Sequence, residues 1–485
     1  MSASALEPAP WSLPRRLLFR FACVYLILYC LPFPLDRLPT SREFFDWPRT
    51  AAQYFESMQD LAVAWFGEHL LGVDAAKLKP FMTGSGDTTR AYVTMALHGS
   101  IAVLLAGAWS LLTRRTGHPR AADLLRTYVR FVLGATLLGY GTAKFFSGQF
   151  PPLADNERWL LTTWGDSSPM GVVWKFMGAS PAYTAFSGVV ECLGGVLLFW
   201  RRTTTLGALL AAAAMLNVAL INYCYDVPVK LYSTHLLLMA IGLLLRDVPR
   251  LCDVLLWHRD AAPLPLRLPR PLWVAIPEQF AKYALVGWIL YGAGAGLQAR
   301  YERQQLPPGP LEGGYEVAEF VRGGEPVPPL LTDDSRWRYL FLSERYASVR
   351  MIDEKTQLGF VPKIDTAAHT LRLERRWSPA MGGTPPEPIE LRYRSKDDPQ
   401  ETTAAPEPAE PTSVVEAVEA VARKQEPASP SEADEPTPAA ASADLVLEGT
   451  MAGAEVRIVL RKLRREDFLV VNRGFHWIQE YPFNR

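Results

Sequence analysis

Four ionisable residues, His98, Lys144, Glu191 and His235, lie inside long apolar runs of this chain. Hydrocarbon penalises each of them, so each needs a partner, a proton or water, and each is a functional candidate. A carboxylate and a histidine beside water can exchange protons near neutral pH, which makes Glu191 and His235 the candidate catalytic groups. A lysine ammonium can steady a carbonyl or anionic oxygen, and Lys144 is the candidate for that role. Asn222, Asp226 and Lys230 crowd the end of one run and join Lys144 as candidate ligand-binding groups, with Asn217 further back on the same run. Asp226 and Lys230 are four apart and would pair on a helix, but Val227-Pro228 between them favours a turn. Each residue also has a plainer role: His98 and His235 as polar packing groups, Lys144 as a snorkelling side chain or as a partner for Glu191 across two helices.

Other chemistry is poorly served. The five cysteines, Cys23, Cys30, Cys192, Cys224 and Cys252, form no Cys-x-x-Cys, and none follows Cys252. That excludes a disulfide-built domain and leaves no metal site. Lys plus Arg and Asp plus Glu number 50 each, so there is no basic footprint for nucleic acid. Gly292-x-Gly294-x-Gly296 lies within an apolar run and reads as helix packing. Gly84-Ser-Gly-Asp-Thr lacks the lysine of a phosphate loop.

The elements that must position the candidates are helices. Seven apolar stretches, residues 17–35, 92–112, 127–147, 182–200, 204–223, 231–245 and 279–297, each suit a transmembrane helix, and none follows in the rest of the chain. Arg15, Arg16 and Arg20, then Arg115 and Arg120, then Arg201 and Arg202, then Arg246 and Arg250 fall on one side of such a bundle. The excess of arginine puts that side, with the amino terminus, in the cytoplasm and residues after 297 outside. At about 1.5 Å per residue, Lys144, His98 and His235 sit roughly 6–9 Å below the outer surface, with Glu191 nearer the midplane. The candidates therefore could converge on one outward cavity. Arg130 alone lies about one turn inside the cytoplasmic boundary. Residues 53–71 repeat apolar side chains at helical spacing and suit a helix lying in the membrane interface.

From about Trp337 the pattern alternates with period two, as in Ile389-Glu-Leu-Arg-Tyr-Arg and Glu455-Val-Arg-Ile-Val-Leu-Arg. Strands are predicted at 336–342, 347–353, 370–375, 389–394, 445–449, 455–461 and 468–478, in an antiparallel sandwich or small barrel. The fold class is thus a polytopic α-helical membrane bundle, residues 1–304, followed by a β-rich extracytoplasmic domain, residues 305–485. Within the second, residues 396–443 turn to Pro, Ala, Glu, Ser and Thr, too few apolar groups to offset the entropy of ordering. This stretch interrupts two strand signals, as an insertion at a hairpin tip would.

Arg130-Phe-Val-Leu-Gly134, Gly139-Tyr-Gly-Thr-Ala-Lys144, the run holding Gly188, Glu191, Gly194 and Gly195, and Arg201-Arg202 before a small-residue helix together resemble the DoxX family of membrane proteins. The likeness covers residues 128–245. It implies a helix bundle of the inner membrane, associated in some members with quinone-linked oxidoreductases. The additional spans and the β-rich tail would make this a larger subfamily. The layout of bundle and tail also resembles vitamin K-dependent carboxylase-like proteins, by architecture alone.

The leading expectation is a membrane subunit that holds a quinone, with a redox or envelope protein as partner. Two other classes compete: a non-enzymatic anchor presenting the β-rich domain, and a carrier of small solutes or protons. The residues do not decide whether the protein is catalytic.

Overall fold

A computed structural model describes residues 10–38, 46–80, 84–113, 115–146, 148–153, 156–261, 271–354, 356–375, 386–395 and 444–473. The expected insertion at 396–443 and the segment 474–485 lie outside the described residues. The chain divides into two compact units, Met1–Asn156 with Thr162–Leu306, and Glu157–Leu161 with Pro307–Arg485.

The first unit is helical: α1 (Leu13–Cys30), α2 (Trp47–His69), α3 (Ala75–Leu78), α4 (Thr89–Leu112), α5 (Pro119–Ala143), α7 (Pro169–Ala179), α8 (Pro181–Leu198), α9 (Thr204–Cys224), α10 (Lys230–Leu244), α11 (Val248–Leu255) and α12 (Leu272–Gln304); α6 (Glu157–Leu160) belongs to the second unit. Among the described residues four helices, α1, α4, α8 and α9, are long and apolar enough to cross a membrane. A fifth is available if α10 and α11, bent by 70°, count as one broken span. The sequence predicts seven. The two extra stretches are helical, but α5 carries Arg120, Asp123, Arg126 and Arg130, and α12 carries Glu278 and Lys282. Two of the charges on α5 are matched inside the bundle. Arg201 donates to both oxygens of Asp123 at 3.2 and 3.0 Å, and Arg126 donates to Asp247 at 2.9 Å. Arg300 of α12 donates to the Thr142 carbonyl at the end of α5 at 2.6 Å.

The helices α5 and α8 pack closest because glycines face each other. A methyl on Gly134 would meet the Gly195 carbonyl oxygen at 2.9 Å, and one on Gly141 would meet that of Gly188 at 2.5 Å. Each pair is seven residues apart on its helix, in antiparallel register. Backbones can touch there only because no side chain intervenes. On α2 the exposed side chains include Tyr54, Met58, Leu61 and Trp65, an apolar face at helical spacing, while Ala52, Val63 and Phe66 face inward.

The second unit is an eight-stranded antiparallel barrel. Its strands are β1 (Gly313–Arg322), β3 (Trp337–Leu342), β4 (Ala347–Met351), β5 (Gln357–Asp365), β6 (Thr370–Arg375), β7 (Ile389–Ser395), β8 (Leu445–Met451) and β9 (Ala454–Lys462), with the two-residue β2 (Glu325–Pro326) folded back on β1. The ring closes where β1 pairs with β9, from Tyr315↔Lys462 to Arg322↔Val456. Closure leaves no edge strand to pair with another chain. Alternation sends Leu371, Leu373, Leu447, Ile458 and Leu460 fully inside, and the interior is filled by side chains. The hairpin partners Ser395 and Leu445 are in register, so residues 396–443 connect two adjacent strand ends.

Two strands of the barrel, β1 and β5, were not expected, nor was the short β2. The expected last strand is a correction: residues 465–472 form a 3₁₀ turn (Arg465–Asp467) and one helical turn (Leu469–Asn472). The segment α6 packs on β1. Glu157 lies over Gly314, where a methyl would meet its Cβ at 2.8 Å. Arg465 donates to Glu157 at 2.8 Å, and Arg350 donates to the Leu161 carbonyl at 3.0 Å.

Burial pushes the Tyr315 hydroxyl up to about 12, with the Asp444 and Glu157 carboxylates adding to the effect. Between about pH 10 and 12 the unfolded chain gives up this proton while the folded one keeps it. Its contribution to stability is therefore fully present below pH 10 and lost as pH rises towards 12. In a tyrosinate absorbance titration, the difference between wild type and Tyr315→Phe should show a midpoint near 12. A midpoint near 10 would mean the ring is not buried as described.

Candidate functional site

The candidates fall into a sealed ion pair and a polar cavity, linked by two tyrosine rings. Lys144 caps the carboxyl end of α5, and Glu191 faces it from α8. The lysine Nζ donates to Glu191 Oε2 at 2.5 Å, with the side chains 5% and 2% exposed. The close approach at Gly141 and Gly188 brings the two helices near enough for this contact. The same Nζ lies 5.8 Å from the centre of the Tyr140 ring, which lies 6.0 Å from the Tyr232 ring.

Tyr232 lines a cavity of about 490 Å³ walled by α1, α2, α4, α10 and residues 85–91. His235 is held rigidly in its wall. Its Nδ1 lies 2.7 Å from the Leu231 carbonyl and its Nε2 2.7 Å from the Tyr25 hydroxyl. A carbonyl only accepts, so the network assigns the proton to Nδ1, and in the neutral ring Nε2 accepts from Tyr25. The Tyr29 ring stacks on the imidazole with centres 4.0 Å apart and planes 7° from parallel. Opposite, His98 of α4 lines the same cavity, is 5% exposed, and has no hydrogen-bond partner for its Nδ1. That buried ring nitrogen is unused hydrogen-bonding capacity on a residue that lines the cavity.

The cavity is closed at one end by a clasp. Asp87 accepts from the backbone N–H of Lys230 (2.8 Å) and Leu231 (2.9 Å), capping α10, and the Gly86 N–H donates to the Pro228 carbonyl at 2.7 Å. Lys230 Nζ reaches Asp226 at 2.7 Å and Asp87 at 3.8 Å. The turn expected from Pro228 is present, with Asp226 at φ +51°, and the pair forms nonetheless because the turn brings the side chains together.

His235 and His98 thus share a cavity, with Asp226 and Lys230 beside it. Lys144 and Glu191 pair with each other two rings away. Asn222 donates to Ser233 at 3.0 Å and ties α9 to α10, while Asn217 is exposed on the bundle surface. Sequence reasoning missed Tyr25, Tyr29, Tyr232 and Asp87. The signal for the first two was tyrosine at i and i+4, which places both rings on one face of a helix. Among the described residues no group of His, Cys, Asp and Glu could hold a metal ion.

No protein-family model matches the chain, and no solved structure matches it. Among curated proteins it is similar to the uncharacterized protein YwoB of Bacillus subtilis (strain 168), with 35% identity over 118 residues, which are 24% of this chain and 73% of YwoB.

Proposed function

We propose, for a chain that belongs to the family of the Bacillus subtilis protein YwoB, a DoxX-like inner-membrane protein whose helical unit binds a quinone-class headgroup. In this reading the bundle has seven spans. The helices α5 and α12 complete the set, with Asp123 and Arg126 of α5 paired to neighbouring turns and Lys282 of α12 paired to Glu278. The arginine-rich turns face the cytoplasm, and the His98–His235 cavity opens on the other side. Family membership brings no activity with it, so the reading rests on the cavity.

The observation that carries it is the unpartnered Nδ1 of His98, a buried residue in the wall of an aromatic-lined cavity. A quinone ring is flat and apolar with two carbonyl acceptors, which suits one free ring N–H and stacked tyrosines. When bound, a quinone supplies two-electron, two-proton chemistry, with electrons from a partner protein. His98 would donate to one carbonyl oxygen. His235, fixed by Tyr25 and Leu231, would hold a proton at Nδ1 beside the headgroup, and Tyr232 and Tyr140 would connect the cavity to Lys144 and Glu191.

Protein purified in mild detergent tests this by mass spectrometry of extracted quinones. Wild type should carry quinone near one per chain, and His98→Ala about tenfold less. Wild type without quinone overturns the reading. The anchor alternative would then gain, because the sealed Lys144–Glu191 pair also serves as a crosslink between helices.

A further inference from the structure

A second cavity, of about 530 Å³, lies between α5, the α8–α9 turn and α12. Arg130, Arg201, Arg202 and Lys282 line it, and among the described residues its wall holds no carboxylate. Arg130 is 3% exposed. Its Nε donates to the Leu198 carbonyl at 2.9 Å, while its Nη2 is buried with no partner. A guanidinium in an apolar bundle with an idle N–H group is costly unless a ligand completes it. Phe131, Phe199 and Val286 supply an apolar side to the same cavity. Of the four cations, Arg201 pairs with Asp123 and Lys282 with Glu278, while Arg130, unlike the buried Lys144 and Arg126 elsewhere in the bundle, has no carboxylate partner.

We propose that this cavity binds a phosphate group, carried by an anionic phospholipid or free in solution. The planar N–H fork of Arg130 matches phosphate oxygens, and Arg202 on the turn adds a second positive charge at the rim. Basic pockets between membrane helices hold lipid headgroups by this chemistry. The apolar side would take the start of an acyl chain. The site is separate from the His98–His235 cavity and does not depend on the quinone reading.

Native mass spectrometry of the full-length protein in mild detergent tests it. The probes are phosphatidylglycerol, phosphatidylcholine and inorganic phosphate, and the proteins are wild type, Arg130→Gln and Arg202→Ser. Wild type should retain one phosphatidylglycerol in preference to phosphatidylcholine, and Arg130→Gln should bind it about tenfold more weakly. Arg202→Ser, a change at an exposed turn, should also weaken it and decides the matter if Arg130→Gln does not fold. Displacement of the lipid by inorganic phosphate identifies free phosphate as the ligand, and resistance identifies the lipid headgroup. Folded variants that retain phosphatidylglycerol like wild type, or a wild type that binds neither probe, overturn the proposal.

Discussion

Replacing Lys144 with Met should cost the bundle about 3–5 kcal/mol, and replacing Lys144 with Met and Glu191 with Leu together should recover most of that loss. The pair is almost fully buried and in contact at 2.5 Å. Removing the lysine alone leaves a carboxylate in an apolar setting with its partner gone. Removing both leaves two apolar side chains of similar volume, and such replacements of buried ion pairs are commonly neutral or stabilising. The coupling between the two substitutions is therefore the informative quantity. Unfolding wild type, Lys144→Met, Glu191→Leu and the double variant from mild-detergent micelles with sodium dodecyl sulfate gives the four stabilities it needs. A double variant as unstable as the single one would show that the pair does more than balance its own charges.

The second large effect lies one turn away. Gly141→Ala should destabilise the bundle by about 2–3 kcal/mol relative to Gly139→Ala, in line with the cost of overpacking. The added methyl at 141 would meet the Gly188 carbonyl oxygen and the Cys192 Sγ, both at 2.5 Å. A cysteine can turn aside, but a helix carbonyl cannot, so α5 and α8 must part. Parting them also pulls Lys144 from Glu191. At Gly139 nothing lies within 4 Å, and alanine there should gain helix propensity. Equal stability of the two variants would show that the helices are not in backbone contact.

The helices α1, α4, α8 and α9 were legible because their apolar runs are long enough to outweigh the single ionisable residues, such as His98 and Glu191, within them. On α5 the sequence offered charges whose partners, Arg201 and Asp247, come from turns that no local pattern reveals. In the barrel, β7 was plain because Leu391 and Tyr393 alternate cleanly with Glu390, Arg392 and Arg394. β1 was hidden by its own bulge. The register shifts between Val317 and Glu319, so the buried residues run Tyr315, Val317, Phe320 and lose period two. β5 was masked by Gly359 and Pro362. The proline is tolerated because β4 pairs only as far as Phe360, so on that side no ladder bond is lost. At the candidate site the ionisable residues stood out against hydrocarbon, but their partners did not. Asp87 caps α10 from 143 positions away, and that is a tertiary fact.

The packing of α6 on β1 bears on how this protein can be cut apart. Glu157–Leu161 is spelled out between two helices of the bundle, yet it belongs to the barrel unit. The chain therefore passes between the units three times, after residues 156, 161 and 306. A fragment starting at Pro307 would carry every strand and still lack the carboxylate that holds Arg465 and the carbonyl that holds Arg350. Its β1 face would be bare over Gly314. A version of the barrel that keeps both contacts is a spliced one, with residues 157–161 grafted ahead of 307. A ribosome finishing the bundle has already issued one piece of the domain that follows.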